Sequence, residues 1–591
     1  MVRLTIDTIP VEVPEHTTIL DAAASVGIKI PTLCYLKDIN QIGSCRVCLV
    51  EIEGLPQLVA SCNNYVEEGM VVHTNSPKVR EARRENVEFL LSRHNTTCTS
   101  CVRNGNCTLQ SLTRDLGITE LPFEPKLMRW KWPKDYPLQR DNNKCVNCLR
   151  CIQVCSKIQE VDIWDLVNRS SHTAVNVGGA RRIENSECAL CGQCITHCPV
   201  GALSERDDTA RVFDALADPD VITIAQVAPA VRSSWGEAFG VSPDVATEGR
   251  LATALKRMGF DYVFDTDFAA DLTIMEEASE LLDRMQHPEH GPLPMFTSCC
   301  PGWVRYLKGH YPELTANLST SKSPHQMFGA VVKSFFAERL CVDPRKMFVV
   351  SVMPCLAKKA ECEEPNQADA CEAPDVDCVI TVRELDRMVS EEHLDIAMLP
   401  ESEFDKPISE ATGAGVIFGA TGGVMEAALR TAYHTVTGQA PKPDMFSDVR
   451  GMKGWKEATF NMAGTPLHVA VASGLGNTHH LLEALESGEV HYDFIEIMAC
   501  PGGCAGGGGQ PIHDGEERAE SRGEVLWGLD RKADLRNSYE NPSIQALYSE
   551  YLEEPLSERA EHLLHTDHFG WDMPLAPDVK AFSKPQSKVL Q

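Results

Sequence analysis

Residues 144–157 read KCVNCLRCIQVCSK, and residues 187–200 read ECALCGQCITHCPV. Each contains C-x2-C-x2-C-x3-C: Cys145, Cys148, Cys151 and Cys155, then Cys188, Cys191, Cys194 and Cys198, with Pro199 after the second run. Thiolates at this spacing hold [4Fe–4S] clusters, and in the duplicated form the fourth cysteine of each run serves the other cluster. One expected ligand set is therefore Cys145, Cys148, Cys151 and Cys198. The other is Cys188, Cys191, Cys194 and Cys155. Ser156 stands where the first run would ordinarily carry proline, which alters the loop rather than the donors. Zinc sites also use close cysteine pairs, but a duplicated run of this form fits iron–sulfur better.

Working toward the N-terminus, His94, Cys98, Cys101 and Cys107 form H-x3-C-x2-C-x5-C. A lone histidine is usually a cap or core residue. At the head of such a run it reads as a ligand, and imidazole in place of thiolate makes a cluster less negative. Before it, KVREARRENVEFLLSR (78–93) has the periodicity of an amphipathic helix. Cys34, Cys45, Cys48 and Cys62 come earlier still, in C-x10-C-x2-C-x13-C. Four cysteines with one close pair suit a [2Fe–2S] cluster, with zinc the competing metal. Val2, Leu4 and Ile6, then Val11 and Val13, alternate as in a hairpin, and TILDAAASVGI reads as a helix.

The whole chain has 591 residues, 24 cysteines and a formal net charge of −29. That length implies several cores. Clustered cysteines at ligand spacing argue for metal sites rather than an oxidised scaffold. The negative charge opposes binding to phosphate backbones, so no nucleic acid partner is expected. Neither a signal peptide nor an apolar run of membrane-spanning length is evident, which suggests a cytoplasmic protein with no membrane span.

Beyond residue 209 apolar runs alternate with helical stretches: VITIAQVAP, DYVFDTDF, KMFVVSVMPC, DCVITV, HVAVASG and DFIEIMAC. This is an α/β pattern. Key cysteines follow the ends of such runs, where open α/β sheets bind ligands. CAGGGGQP (504–511) would permit close backbone approach to something bulky. NPSIQALYSEYLEEPLSERAEHLL (541–564) reads as one or two surface helices. Three segments stand out: TSCCPGW (297–303), MPC (353–355) and MACPGGC (498–504). They offer Cys299, Cys300, Cys355, Cys500 and Cys504, enough for one more [4Fe–4S] cluster with one thiol spare. Cys341, Cys362, Cys371 and Cys378 match no site pattern and are expected to be ordinary thiols.

These three segments resemble the signature motifs of the [FeFe]-hydrogenase family. ADLTIMEEASELL (270–282), FTSCCPGWVRY (296–306) and GAGVIFGATGGVMEAALR (413–430) carry the likeness further. It extends over nearly all of residues 1–564, with four accessory-cluster modules in the order of the larger clostridial-type enzymes. The resemblance implies an H-cluster: a [4Fe–4S] cube joined through a cysteine to a two-iron unit with CO, cyanide and a bridging azadithiolate. It also implies three accessory [4Fe–4S] clusters and one [2Fe–2S] cluster. By motif position Cys300, Cys355, Cys500 and Cys504 would bind the cube, with Cys504 bridging. Cys299 would be the unligated proton-passing thiol. Lys358 would hydrogen-bond a cyanide. Met353 and Met498 would pack on the two-iron unit, and Ala228, Pro229 and Phe418 would line the pocket. Some members carry serine where this chain has Ala230, so a modest shift in cluster potential is expected.

Glu277, Glu280 and Arg284 fall on one helical face. Alone, that trio reads as a surface salt-bridge ladder. The resemblance instead assigns it to proton transfer, in the order Cys299, Glu277, Ser319, Glu280 and then Arg284 at the surface. The implied fold is multidomain, of α/β and α+β parts. It comprises a β-grasp [2Fe–2S] domain (1–78), a small one-His/three-Cys domain (79–125) and a two-[4Fe–4S] ferredoxin-like domain (126–208). A large α/β H-cluster domain (209–510), its small-subunit-like helical part (511–567) and an extended tail (568–591) follow. The expected activity is interconversion of H2 with protons and electrons. Expected partners are ferredoxin or a flavin/NAD(P)-binding subunit, together with H-cluster maturation proteins. No G-x-G-x-x-G follows a strand, so nicotinamide chemistry would belong elsewhere. Two alternatives exist. The N-terminal third also resembles the iron–sulfur subunit of respiratory complex I, a pure electron relay. A hydrogen sensor is the other, although sensory relatives tend to alter the thiol that Cys299 retains.

Overall fold

The computed structural model describes residues 1–127 and 131–575. The expected extended tail lies outside the described residues from 576 onward; residues 568–575 have no helix or strand, yet His568 and Met573 are buried. The chain forms two compact units. The first comprises Met1–Ile158, Asp162–Arg181 and His197–Ser204, and the second comprises Gln159–Val161, Arg182–Thr196 and the chain from Glu205. The duplicated cysteine run is therefore divided: Cys145, Cys148, Cys151, Cys155 and Cys198 belong to the first unit, and Cys188, Cys191 and Cys194 to the second.

In the first unit, alternation builds the expected hairpin. Val2–Ile6 pairs antiparallel with Ile9–Val13, and Val2, Leu4, Ile6, Val11 and Val13 turn inward. A five-stranded sheet runs in the order Ile9–Val13, Val2–Ile6, Val71–His73, Leu49–Ile52, Val59–Ala60. The helix Ile19–Ser25 starts where the Thr18 side chain accepts from the Asp21 N–H, an N-cap. Helix Pro77–Leu91 begins with a Ser76 cap and buries Val79, Arg83, Val87 and Leu91. Arg83 is held inside by its Nη2 group, which donates to the carbonyls of Leu49 (2.7 Å) and Thr74 (2.8 Å), hydrogen bonds that offset part of the cost of burying the charge.

The second unit holds two four-stranded sheets. The first is wholly parallel, in the order Tyr262–Asp265, Ile222–Val227, Met347–Met353, Cys378–Thr381. Its strands are almost entirely apolar and buried at successive positions, as in a parallel sheet covered on both faces. The second runs Met295–Phe296, Phe494–Met498, Thr465–Ser473, Trp455–Met462, parallel except for the last pair. The helix Asp267–Gln286 is buried along most of its length, Glu276, Glu277, Glu280 and Arg284 included. Residues 542–564 are not the surface helices their short, proline-interrupted pattern suggests. Ile544, Leu547, Tyr548, Leu552, Leu563 and Leu564 belong to the same core as the parallel sheet. Among the described residues no helix is long and apolar enough to cross a membrane.

Candidate active site and cluster sites

The carboxyl ends of parallel strands converge on one cavity. Ala228 and Pro229 follow Ile222–Val227, and Met353, Pro354 and Cys355 close Met347–Met353. Cys299 and Cys300 follow Met295–Phe296, and Met498 ends Phe494–Met498. These residues, with Lys358, Phe418 and Cys504, line one cavity. Parallel sheets place ligands at such ends. Gly502 and Gly503, both at φ 77°, turn the chain from Cys500 to Cys504, a left-handed path that glycine takes without strain.

The glycine run, expected to permit close backbone approach, packs backbone against backbone. A Cβ on Gly507 would sit 2.1 Å from the Pro354 carbonyl oxygen. One on Gly508 would sit 2.3 Å from that of Cys191, and one on Gly509 2.7 Å from the Cys355 nitrogen. The glycines thus seat three cysteine-bearing segments together. Cys500 Sγ lies 3.5 Å from the Cys191 carbonyl oxygen, and the Ala499 N–H donates to Cys300 Sγ at 3.4 Å.

Burial, and then neighbouring thiolates, push Cys355 up to about 12 and Cys500 and Cys504 well upward. Several thiolates in an apolar pocket repel one another, so this donor set suits a cationic iron cluster. Lys358 is the cation there. Its ammonium is 3.0 Å from Glu361 and 3.4 Å from the Cys299 carbonyl. Burial opposes its charge, but Glu361 and Cys355 raise its pKa. Glu361 accepts from Lys358 and lies 2.5 Å from His325 Nε2; despite burial, those two hold its carboxyl down at about 2. Burial and Lys358 lower His325 to about 4. Sequence reasoning missed this tether. The Lys358/Glu361 spacing on a short helix was visible, but nothing local pointed to His325.

The relay residues come together too. Ser319 Oγ donates to Glu280 Oε2 at 2.7 Å. Glu277 is fully buried, and neither carboxylate oxygen has a hydrogen-bond partner among the described residues. Burial, then Glu280 and Glu496, push its pKa to about 8. Cys299 is pushed well above the thiol range by burial and Glu277. Arg284 requires correction: expected at the surface, it is 3 % exposed. It donates to Glu280 Oε1 (2.6 Å) and the Leu318 carbonyl (2.8 Å). Gly291 lies over it, where a Cβ would come within 2.7 Å of Arg284 Nε.

Three cysteine sites lie in the first unit. Cys34, Cys45, Cys48 and Cys62 are all buried. Hydrogen bonds from Cys34 and Cys62 hold Cys45 and Cys48 down at about 6 and 7. His94 is buried, which lowers its pKa, and its Nδ1 has no hydrogen-bond partner among the described residues. A neutral imidazole with a free buried nitrogen fits a ligand. A Cβ on Gly201 would meet Cys101 Sγ at 2.7 Å, and Cys107 Sγ lies 3.8 Å from the Pro199 carbonyl. Cys145, Cys148, Cys151 and Cys198 line one cavity with Arg140 and Trp164. The buried Asn40 amide donates to the carbonyls of both Cys34 (2.7 Å) and Cys148 (2.9 Å).

Sequence comparison extends the same picture. Residues 1–77 match a 2Fe-2S iron-sulfur cluster binding domain, which decides between iron–sulfur and zinc there. Residues 83–122 match the NADH-ubiquinone oxidoreductase-G iron-sulfur binding region, and 137–204 a ferredoxin-like domain of NADH-quinone oxidoreductase subunit 3. Residues 221–508 match the iron only hydrogenase large subunit, C-terminal domain, and 516–571 the iron hydrogenase small subunit. The NADP-reducing hydrogenase subunit HndD of Solidesulfovibrio fructosivorans is 47% identical over 96% of this chain and 99% of its own. Iron hydrogenase 1 of Clostridium pasteurianum is 39% identical over 93% and 97%. An apo [FeFe]-hydrogenase structure from Chlamydomonas reinhardtii is 43% identical, covering 63% of this chain and 100% of that one, with a TM-score of 0.56.

Fold and site together define a modular iron–sulfur oxidoreductase of mixed α/β build. The chain belongs to the iron-only, or [FeFe], hydrogenase family.

Proposed function

We propose that this chain interconverts H2 with two protons and two electrons at an H-cluster seated in the strand-end cavity, with accessory clusters relaying the electrons. The observation that carries the reading is one cavity bringing together Cys299, Cys300, Cys355, Cys504, Met353, Met498, Lys358 and Phe418 from four separate segments. When bound, the H-cluster supplies the metal centre at which H2 is made and split. Cys300, Cys355, Cys500 and Cys504 would hold its cube. Lys358, fixed by Glu361, would offer a charge-assisted donor to an anionic ligand of the cluster. The methionines, Phe418, Ala228 and Pro229 exclude water. Cys299, Glu277, Ser319 and Glu280 pass protons, and Arg284 serves as the buried counter-cation of Glu280.

In the first unit, Cys34, Cys45, Cys48 and Cys62 hold a [2Fe–2S] cluster. His94 with Cys98, Cys101 and Cys107 holds a [4Fe–4S] cluster, as do Cys145, Cys148, Cys151 and Cys198. In the second unit, Cys188, Cys191 and Cys194 supply thiolates to a further [4Fe–4S] cluster. The electron partner is ferredoxin or, as the name of the Solidesulfovibrio relative suggests, a subunit that handles NADP.

The test is hydrogen evolution from reduced methyl viologen by anaerobically purified protein, co-expressed with H-cluster maturation proteins. Activity that depends on maturation is the expected result. An inactive enzyme with complete clusters would favour a sensory or relay role. Cys504→Ala should abolish evolution while the accessory clusters remain reducible.

A further inference from the structure

We propose that protons enter and leave the relay through a side branch, Glu280–Thr320–His565, held in place by Glu276; this rests on the proton relay proposed above. Arg284 is poorly suited as an outlet. A guanidinium does not deprotonate in proteins, and this one is buried, with its Nη2 group committed to Glu280 and the Leu318 carbonyl. Thr320 is exposed and lies directly against the same carboxylate. Its Oγ1 is 3.2 Å from Glu280 Oε1 and 2.8 Å from His565 Nδ1. His565 Nε2 is 3.1 Å from Glu276 Oε2.

Glu276 sits one helical turn before Glu280 and is fully buried. The Tyr548 hydroxyl donates to it at 2.5 Å and the Leu556 N–H at 2.9 Å. Backbone pairing sets the register of the two segments: the Lys322 N–H donates to the Leu564 carbonyl, and that of Thr566 to Thr320, both at 2.8 Å. His565 is thus delivered to Glu280 by a segment remote in sequence.

The transfer balances without electrons. With His565 neutral and its Nε2–H donated to Glu276, Nδ1 is free to accept. The Glu280 carboxyl proton passes to the Thr320 oxygen as the Thr320 hydroxyl proton passes to His565 Nδ1. This leaves a Glu280 carboxylate and an imidazolium, which the Glu276 carboxylate stabilises. The imidazolium then gives its Nδ1 proton to water at the exposed Thr320 edge. Proton uptake runs in reverse.

The experiment uses matured holoenzyme carrying His565→Gln, which can keep a donor toward Glu276 but cannot carry a proton. Viologen-linked turnover should fall about tenfold or more, the solvent isotope effect should rise, and added imidazole should restore turnover in a saturable way. Cluster spectra should match the parent, and Thr320→Val, which also removes the hydroxyl, should lower turnover alongside it. Full turnover in both variants overturns the branch, as does a loss that imidazole does not relieve. Glu280→Gln separates the two readings. If it is impaired while His565→Gln runs at the parental rate, only the branch fails. If Glu280→Gln itself runs at the parental rate, the relay fails and the branch with it.

Discussion

Glu277 carries a buried carboxyl with no hydrogen-bond partner among the described residues, near a thiol that burial also keeps protonated. An unpaired ionised carboxylate in such a place is costly, and its pKa rises to about 8. A group near neutrality that can both take and give a proton suits a relay. Glu277→Gln should lower hydrogen evolution by about a hundredfold or more with unchanged cluster spectra; near-parental turnover would count against the relay. The same residue sets a pH dependence of stability. Its folded-state value is raised, so the folded chain holds the extra proton between the ordinary glutamate range and about 8. That contribution is complete at low pH and is lost as pH rises through this window. Relative to Glu277→Gln, the parent should lose stability from pH 5 to pH 8, on the order of a few kcal/mol, read from unfolding midpoints at each pH. The spacing of Glu277, Glu280 and Arg284 made their shared face legible. Their burial was not, because the loop over Arg284 and the segment carrying His565 are distant in sequence.

At the scale of elements, local patterns were readable and pairings were not. The N-terminal hairpin and the six apolar runs became strands as alternation and apolar continuity implied. Their division into two sheets depends on hydrogen bonding between remote segments, on which periodicity is silent. The helices near the C-terminus were misjudged because they are short and contain proline. Their apolar residues nonetheless recur at helical spacing, from Ile544 through Leu547 and Tyr548 to Leu552, and pack into the parallel-sheet core. The glycine run makes a testable case. Its role is to bring Cys191, Cys355 and Cys504 segments to van der Waals distance, so a methyl group forces a cysteine-bearing loop to move. Gly507→Ala, whose new Cβ would lie 2.1 Å from the Pro354 carbonyl, should leave the [2Fe–2S] signal of the first unit intact. Hydrogen evolution and iron bound at the strand-end cavity should fall about tenfold, since a displacement of about 1 Å costs reactivity steeply. Parental iron content and turnover together would show that the loops tolerate the shift.

For the molecule as a whole, the net charge of −29 is a field rather than a contact. It acts on any electron carrier before docking, and salt screens it over about 10 Å at 0.1 M. A cationic carrier such as methyl viologen is drawn in, so its kcat/KM should fall as ionic strength rises from about 0.02 to 0.5 M, largely through the association rate. An anionic carrier protein faces the opposite sign: repulsion is screened and kcat/KM should rise over the same range. The two series, measured on one preparation, separate long-range charge from local recognition. If the anionic carrier also slows with salt, a local basic patch on this chain outweighs the overall field, and docking is site-directed. If both carriers are indifferent to salt, electron entry is limited after docking, and the acidic balance serves solubility rather than traffic. In the expected case the chain disfavours collision with acidic carriers at low salt, and a dedicated partner subunit held in place would avoid that barrier.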